Sequence, residues 1–190
     1  TSAQNIRPVT ALPGQEIHVD PAPGGGQIAF AWREHEADDW DIFVKSVEGG
    51  ALIPITDGVY EEILPRWSPD GSQIAFIKYQ QQADRRTHSP SCRVMLTPSS
   101  GGAARFLAPC GANWVQSMVW APTGDALLLT IHTESLLPPR WHWIALDANF
   151  QAPELPLVEI QYGVEDSRFS PDGSQLAYSL SSALGVEDLY

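Results

Sequence analysis

Two cysteines, five histidines and 23 Asp or Glu residues are the side chains of this 190-residue sequence that could ligate a metal, move protons or bind a charged partner. Cys92 and Cys110 bracket Ser99-Ser100-Gly101-Gly102, with Gly101 at their midpoint. Residues equidistant from a hairpin turn face each other across its two strands, so this pair lies within disulfide reach. The alternative is two buried free thiols. A disulfide would imply an oxidising compartment, so the chain is expected to be periplasmic or otherwise extracytoplasmic, with a cytoplasmic location as the alternative. His35-Glu36 opens a zinc-protease-like pattern, but position 39 is Asp instead of His. His132, Glu134 and His142 could surround a metal, and Asp38, Asp39 and Asp41 could hold calcium, but no Gly-containing calcium loop follows the aspartates. No Gly-x-Ser-x-Gly elbow is present, so a serine hydrolase would lack its nucleophile site. Gly24-Gly25-Gly26 has no phosphate-loop lysine and reads as a turn. The expectation is a chain with no catalysis, no metal and no cofactor.

Composition narrows the partners. The net charge of −12 disfavours nucleic acid, whose phosphates need clustered Lys and Arg; the one basic cluster, Arg85-Arg86 with His88 nearby, lies in a polar stretch and reads as a solvated loop. Hydrophobic residues at 43% and charged residues at 18% fit a globular fold. No apolar run approaches the roughly 18 residues of a membrane span.

These side chains must be positioned by a repeat. Arg66-Trp67-Ser68-Pro69-Asp70-Gly71-Ser72-Gln73-Ile74-Ala75-Phe76 returns as Arg168-Phe169-Ser170-Pro171-Asp172-Gly173-Ser174-Gln175-Leu176-Ala177-Tyr178. Weaker copies begin at Val119 and Pro21, and the prolines at 23, 69, 122 and 171 space the copies. A period near 49 residues suits a four-stranded propeller blade. Pro presets φ in the turn, Asp tolerates the next position and Gly closes it, so each copy predicts a hairpin between strands a and b. Asp41–Gly50 with Leu52–Thr56, and Arg93–Gly102 with Ala104–Ala108, predict c–d hairpins. Trp143–Leu146 with Leu155–Ile160 gives a looser third pair. Trp67 and Trp120 fall at hairpin positions and are expected in the core. The expectation is all-β: one domain over 1–190, with blades near 19–56, 66–108, 119–160 and 168–190, and a lone strand d at 6–10. Arg7-Pro8-Val9-Thr10 resembles Ile53-Pro54-Ile55-Thr56, and Asp188-Leu189-Tyr190 matches Asp41-Ile42-Phe43.

The Trp/Phe-Ser-Pro-Asp-Gly-Ser-Gln hairpin, followed by Asp-Ile/Leu-Phe/Tyr, resembles the TolB-like propeller repeat. That resemblance implies a β-propeller and covers nearly the whole chain. It extends to TolB itself, to the propellers of prolyl-oligopeptidase-type peptidases and to those behind winged-helix ToxR/CadC-type regulators. Trp40-Asp41-Ile42-Phe43-Val44-Lys45, the Gly-Gly turns and Pro109-Cys110-Gly111 lean towards the regulators, which implies a sensing function. The alternatives it implies are a periplasmic protein-interaction scaffold and the gating propeller of a peptidase. In the third copy Thr123 and Asp125 change the turn, and His142 stands where Asp41 would fall.

The d–a and b–c loops of a propeller share one face, where such folds bind. Here the d–a loops are read as carrying Glu16, Glu61, Glu62, Glu165 and Asp166. The b–c loops are Glu34–Asp39, Tyr79–Ser91 and His132–Arg140. This acidic face is the expected surface for a protein or small-molecule ligand. The segment is expected to be part of a larger propeller whose open blade edges pair copies into a homodimer; the alternative is a small four-bladed ring in which Ile6-Arg7-Pro8-Val9-Thr10 pairs with the last blade.

Overall fold

The computed structural model describes residues 7–80, 91–111, 114–132, 140–153, 164–181 and 187–189. Four antiparallel sheets follow one another along the chain. The first contains β1 (Gln15–Pro21), β2 (Gln27–Arg33), β3 (Asp41–Ser46) and β4 (Ile53–Pro54). The second contains β5 (Glu61–Trp67), β6 (Gln73–Gln80), β7 (Ser91–Pro98) and β8 (Arg105–Gly111). The third holds β9 (Trp114–Trp120), β10 (Ala126–His132) and β11 (Arg140–Ala145). The fourth holds β12 (Val164–Phe169), β13 (Leu176–Ser181) and β14 (Glu187–Leu189). Strands pair in chain order within each sheet, and the first strands pack in sequence, β1 on β5, β5 on β9 and β9 on β12. This is a partial β-propeller.

Each hairpin turn is built as its sequence requires. Gly71 N–H donates to Ser68 O at 2.8 Å, and Ser68 N–H to Gln73 O at 2.9 Å; the same pair of bonds recurs at Ala121–Ala126 and Ser170–Gln175. Gly71 has φ of 73°, a left-handed geometry that favours glycine. The turns also stack between sheets. A Cβ at Gly71, Gly124 or Gly173 would stand 3.8, 3.7 and 3.3 Å from Pro23, Pro69 and Pro122 of the sheet before. The repeat therefore shapes its own turn and seats the next blade.

The sheets join through apolar faces. Ala29, Ala31, Ile42 and Val44 of the first meet Trp67, Ile74 and Phe76 of the second. Ala75, Ile77, Tyr79, Val94 and Leu96 then meet Met118, Trp120, Leu127 and Leu129 of the third. The first joint sets two alanines against Trp67, Ile74 and Phe76, whereas the second packs bulky residues from both sides. Trp67 and Trp120 are core residues.

Three expectations change. Residues 7–10 form no strand, and Ile6 lies outside the described residues. Their template Ile53–Thr56 keeps only Ile53–Pro54 in a ladder, with Ile55 N–H donating to Ile42 O at 2.8 Å beyond it. In the third sheet Leu129 faces His142 and Ile131 faces Arg140, whereas Phe30 faces Phe43 and Trp32 faces Asp41 in the first. Arg140, not His142, therefore occupies the Asp41 position. Residues 155–160, read as the return strand of that blade, lie outside the described residues.

Candidate functional site

The innermost strands converge on a charged cluster. Asp20, Arg66, Val119 and Arg168 occupy one repeat position, three residues before the turn prolines. Arg66 is buried; its Nε donates to Met118 O at 2.8 Å and its Nη1 to Pro65 O at 3.0 Å, while Nη2 lies 3.8 Å from Asp166 Oδ1. Trp120 Nε1 donates to Arg66 O at 3.0 Å, and Trp67 N–H donates to Asp20 Oδ2 at 2.8 Å. Arg168 pairs with Asp166 and reaches Asp20 Oδ1 at 3.7 Å, linking the fourth sheet to the first. Ser117 and Ser167 hydroxyls are hydrogen-bonded at 2.8 Å, joining the third sheet to the fourth.

The electrostatics follow from burial. Burial raises the Asp20 carboxyl above its ordinary range, against the pull of Arg66. Burial likewise lowers the Arg66 guanidinium. His18 is pushed down to about 4, first by burial and then by Arg66, so its imidazole is neutral at neutral pH. His18 also has φ of 56° and a buried Nδ1 without a hydrogen-bond partner. Its counterpart Leu64 has φ of 54°, and both mark a break in the β1–β2 and β5–β6 registers. A left-handed non-glycine residue at a bulge re-aims the strand, here beside the axis.

The five acidic residues read as a loop-face ring fall on inner strands instead of loops, because β1, β5 and β12 begin at or before them. They do not act alike. Glu16 is exposed and accepts from Thr10 Oγ1 at 2.6 Å. Glu61 is half-buried, and burial together with Asp39 raises its pKa. Glu62 is 2% exposed and bound to Lys78 Nζ at 2.6 Å. Its neighbour Asp41 is raised by burial and by Glu62. Asp166 belongs to the axial cluster, and Glu165 is described only as a strand position. The structure therefore gathers Glu61, Asp39, Glu62 and Asp41 near one joint and places Asp166 apart from them. Arg66 and Arg168 were missed as site residues, although the Arg at the head of both strong repeat copies was the signal for them.

Cys92 and Cys110 form a disulfide with Cα atoms 5.0 Å apart, 2% and 3% exposed. Cys110 is the extra residue between Cys92↔Gly111 and Arg93↔Pro109. In the first sheet the same end of strands c and d is held by hydrogen bonds. Thr56 Oγ1 donates to Asp41 Oδ1 at 3.2 Å and accepts from Ile42 N–H at 2.9 Å, and Gly58 N–H donates to Asp41 Oδ1 at 3.1 Å. The disulfide replaces this tether in the second blade. Among the described residues no group of three or more His, Cys, Asp or Glu side chains is arranged to hold a metal ion. His132, Glu134 and the basic cluster at 85–88 lie outside the residues whose side chains are described.

On the opposite face, a hollow of about 460 Å³ lies between the turns of the second and third sheets. It is lined by Ser68, Asp70, Ser72, Arg105, Thr123 and Leu146, among others. Asp70 is held near 2 by hydrogen bonds from Ser68 and Ser72, a turn-forming arrangement repeated at Asp172.

No family model matches the chain. It is 33% identical over 116 residues to the uncharacterized peptidase YuxL of Bacillus subtilis (strain 168), a match that covers 58% of this chain and 16% of that protein. Among solved structures it is similar to a putative TolB from Agrobacterium tumefaciens, with a TM-score of 0.67 at 16% identity, over 96% of this chain and 60% of that one. TolB from Acinetobacter baumannii gives a TM-score of 0.64 at 18% identity, over 90% of this chain and 39% of that one. The structural neighbours are TolB-like β-propeller proteins. The chain spans only part of the length of each of these proteins. Among the described residues no helix is long and apolar enough to cross a membrane.

Proposed function

We propose that the chain is a non-catalytic binding propeller whose acidic face takes a cationic segment of a partner protein. The supporting observation is the clustering of Asp39, Asp41, Glu61 and Glu62 at the joint of the first two blades, where burial first, and then the neighbouring Glu62 and Asp39, raise the Asp41 and Glu61 carboxyls. Like-charge repulsion of this kind is relieved by an approaching cation. Glu16 and Glu61 offer reachable charge, whereas Glu62 is held by Lys78. Within this reading the chain is the sensor propeller of a winged-helix regulator in an oxidising compartment, on the strength of the repeat resemblance and the disulfide. A peptidase-gating module is the second reading, favoured by the likeness to YuxL.

Calorimetry with oligolysine and oligoglutamate tests the binding reading. Oligolysine should bind, weaken with salt and weaken further in Glu16→Gln/Glu61→Gln. Equal binding of both peptides, or no effect of the double variant, would refute it. Reproducible hydrolysis of ester or peptide substrates by the chain, lost on replacing one serine, would refute the non-catalytic part.

A further inference from the structure

A singly exposed hydrophobic residue is ordinary on a protein surface. Trp114 differs from one in its place, its support and its company. Of the seven tryptophans it alone is exposed, at 55%. It opens β9, eight residues before Pro122, as Gln15 and Glu61 open β1 and β5 eight residues before Pro23 and Pro69. The three positions lie where the inner strands begin, and polar residues fill the first two. β9 has a sheet on either side, packing on β5 and β12, so the ring is not part of an uncovered sheet face.

The ring is held before anything binds. Its centroid lies 4.9 Å from that of Tyr79, with the planes inclined at 44°. Tyr79 is 2% exposed and its hydroxyl accepts from Val115 N–H at 2.8 Å, so the support is fixed to the strand that carries Trp114. Tyr79 is also the ladder partner of Glu61. Trp114 and Glu61 thus flank one buried tyrosine, which sets the indole beside the acidic joint. An aromatic side chain fixed in this way gives up little conformational freedom on contact.

The same region shows what an aromatic ring holds there. The Arg33 guanidinium lies 4.5 Å over the Trp40 ring, and Lys78 Nζ lies 4.5 Å over the Tyr60 ring. Each cation also serves a carboxylate. Lys78 is bound to Glu62 at 2.6 Å, and Arg33 opposes the rise that burial and Asp39 impose on the Glu61 pKa. Aromatic ring, cation and carboxylate therefore recur together, and both sets are complete within the chain. Trp114 presents a third ring, and no cation of the described residues stands over it.

We propose that Trp114 seats an arginine side chain of the partner's cationic segment, which rests on the acidic face being the binding surface. A guanidinium is planar and weakly hydrated, so it stacks flat on an indole while its edge N–H groups stay free for carboxylates. An ammonium is a compact, strongly hydrated charge and gains less from the same ring. The net charge of −12 favours the approach of either kind of segment. The acidic joint then supplies attraction, and Trp114 supplies the choice of arginine over lysine.

Hexa-arginine and hexalysine carry equal charge and serve as probes in calorimetry on the whole chain. The wild type should prefer hexa-arginine. Trp114→Leu should weaken hexa-arginine by about two- to fivefold and leave hexalysine nearly unchanged. Trp114→Phe keeps a ring and should retain most of the preference. Circular dichroism and urea unfolding check that the variants fold, with Trp114→Gln in place of the leucine variant if that one does not. Unchanged hexa-arginine binding in Trp114→Leu, or a loss shared equally by both peptides or by the phenylalanine variant, would overturn the inference and leave the acidic face standing. Failure of both peptides to bind the wild type would overturn the acidic face and this inference with it.

Discussion

Reducing the Cys92–Cys110 bond should destabilise the fold by an amount set by the loop it closes. The sequence separation is 18 residues. In the chain-entropy description, closing a loop of that size in the unfolded chain is worth about 3 kcal/mol at room temperature. For a chain of this size, each kcal/mol corresponds to a few degrees, so melting should fall by about 6–12 °C. Reduction is a cleaner perturbation than substitution because both sulfur atoms stay in the core, where a smaller side chain would leave a void. The protein would be reduced in denaturant, refolded in reductant and compared with the oxidised form by urea unfolding. Stability in water should drop by about 3 kcal/mol, and the urea dependence should steepen because the uncrosslinked chain exposes more surface on unfolding. A loss below about 1 kcal/mol with an unchanged slope would refute the reasoning, since it would mean that the bond constrains neither state.

The blade-one tether is the matching control: Thr56→Val removes the bonds to Asp41 and Ile42 and should cost about 1–2 kcal/mol in urea unfolding. His18 titrates near 4 when folded, below its ordinary value of 6.5, so its contribution is present above pH 6.5 and lost as pH falls towards 4; after discounting for its partial exposure, the loss should be about 1–2 kcal/mol. In His18→Gln, stability measured against pH should flatten across that window. Arg66→Met strands the carbonyls of Met118 and Pro65 and should cost about 3 kcal/mol by thermal or urea unfolding, a larger effect than Arg168→Met at the more exposed counterpart.

The blade repeat was legible because its chemistry is local. Ser-Pro-Asp-Gly specifies a turn from four adjacent residues, and the structure builds that turn with the hydrogen bonds the residues call for. The stacking of each turn glycine on the previous proline was not legible, although every residue involved had been singled out, because it joins positions roughly one repeat apart through sheet packing. The acidic residues show the same limit. Glu61 and Glu62 are neighbours in sequence, yet strand alternation turns one towards solvent and the other into a buried pair with Lys78. Counting carboxylates could not separate them. The first and third sheets have the same spacing from turn proline to strand c, so counting from Pro23 to Asp41 and from Pro122 reaches Arg140, not His142, and the ladder agrees.

Where the repeat holds and where it breaks divides structure from specialisation. The turns keep their Pro and Gly because each joint needs the same local geometry and the same seat for its neighbour. The axial position three residues before each proline changes from each blade to the next: it reads Asp20, Arg66, Val119 and Arg168. Strict repetition there would bring like charges together where the inner strands converge, and in a partly dehydrated setting that repulsion would oppose folding. Two arginines are tolerated because Asp20 reaches Arg168 and Asp166 serves both, and because Arg66 spends its remaining donors on backbone carbonyls. The axis is thus a place where each blade differs from the next, and a change in Asp20, Arg66 or Arg168 alters the field felt by the other charged groups. A ligand read by this propeller would meet residues that the repeat does not dictate, at the axis and along the acidic joint of the first two blades.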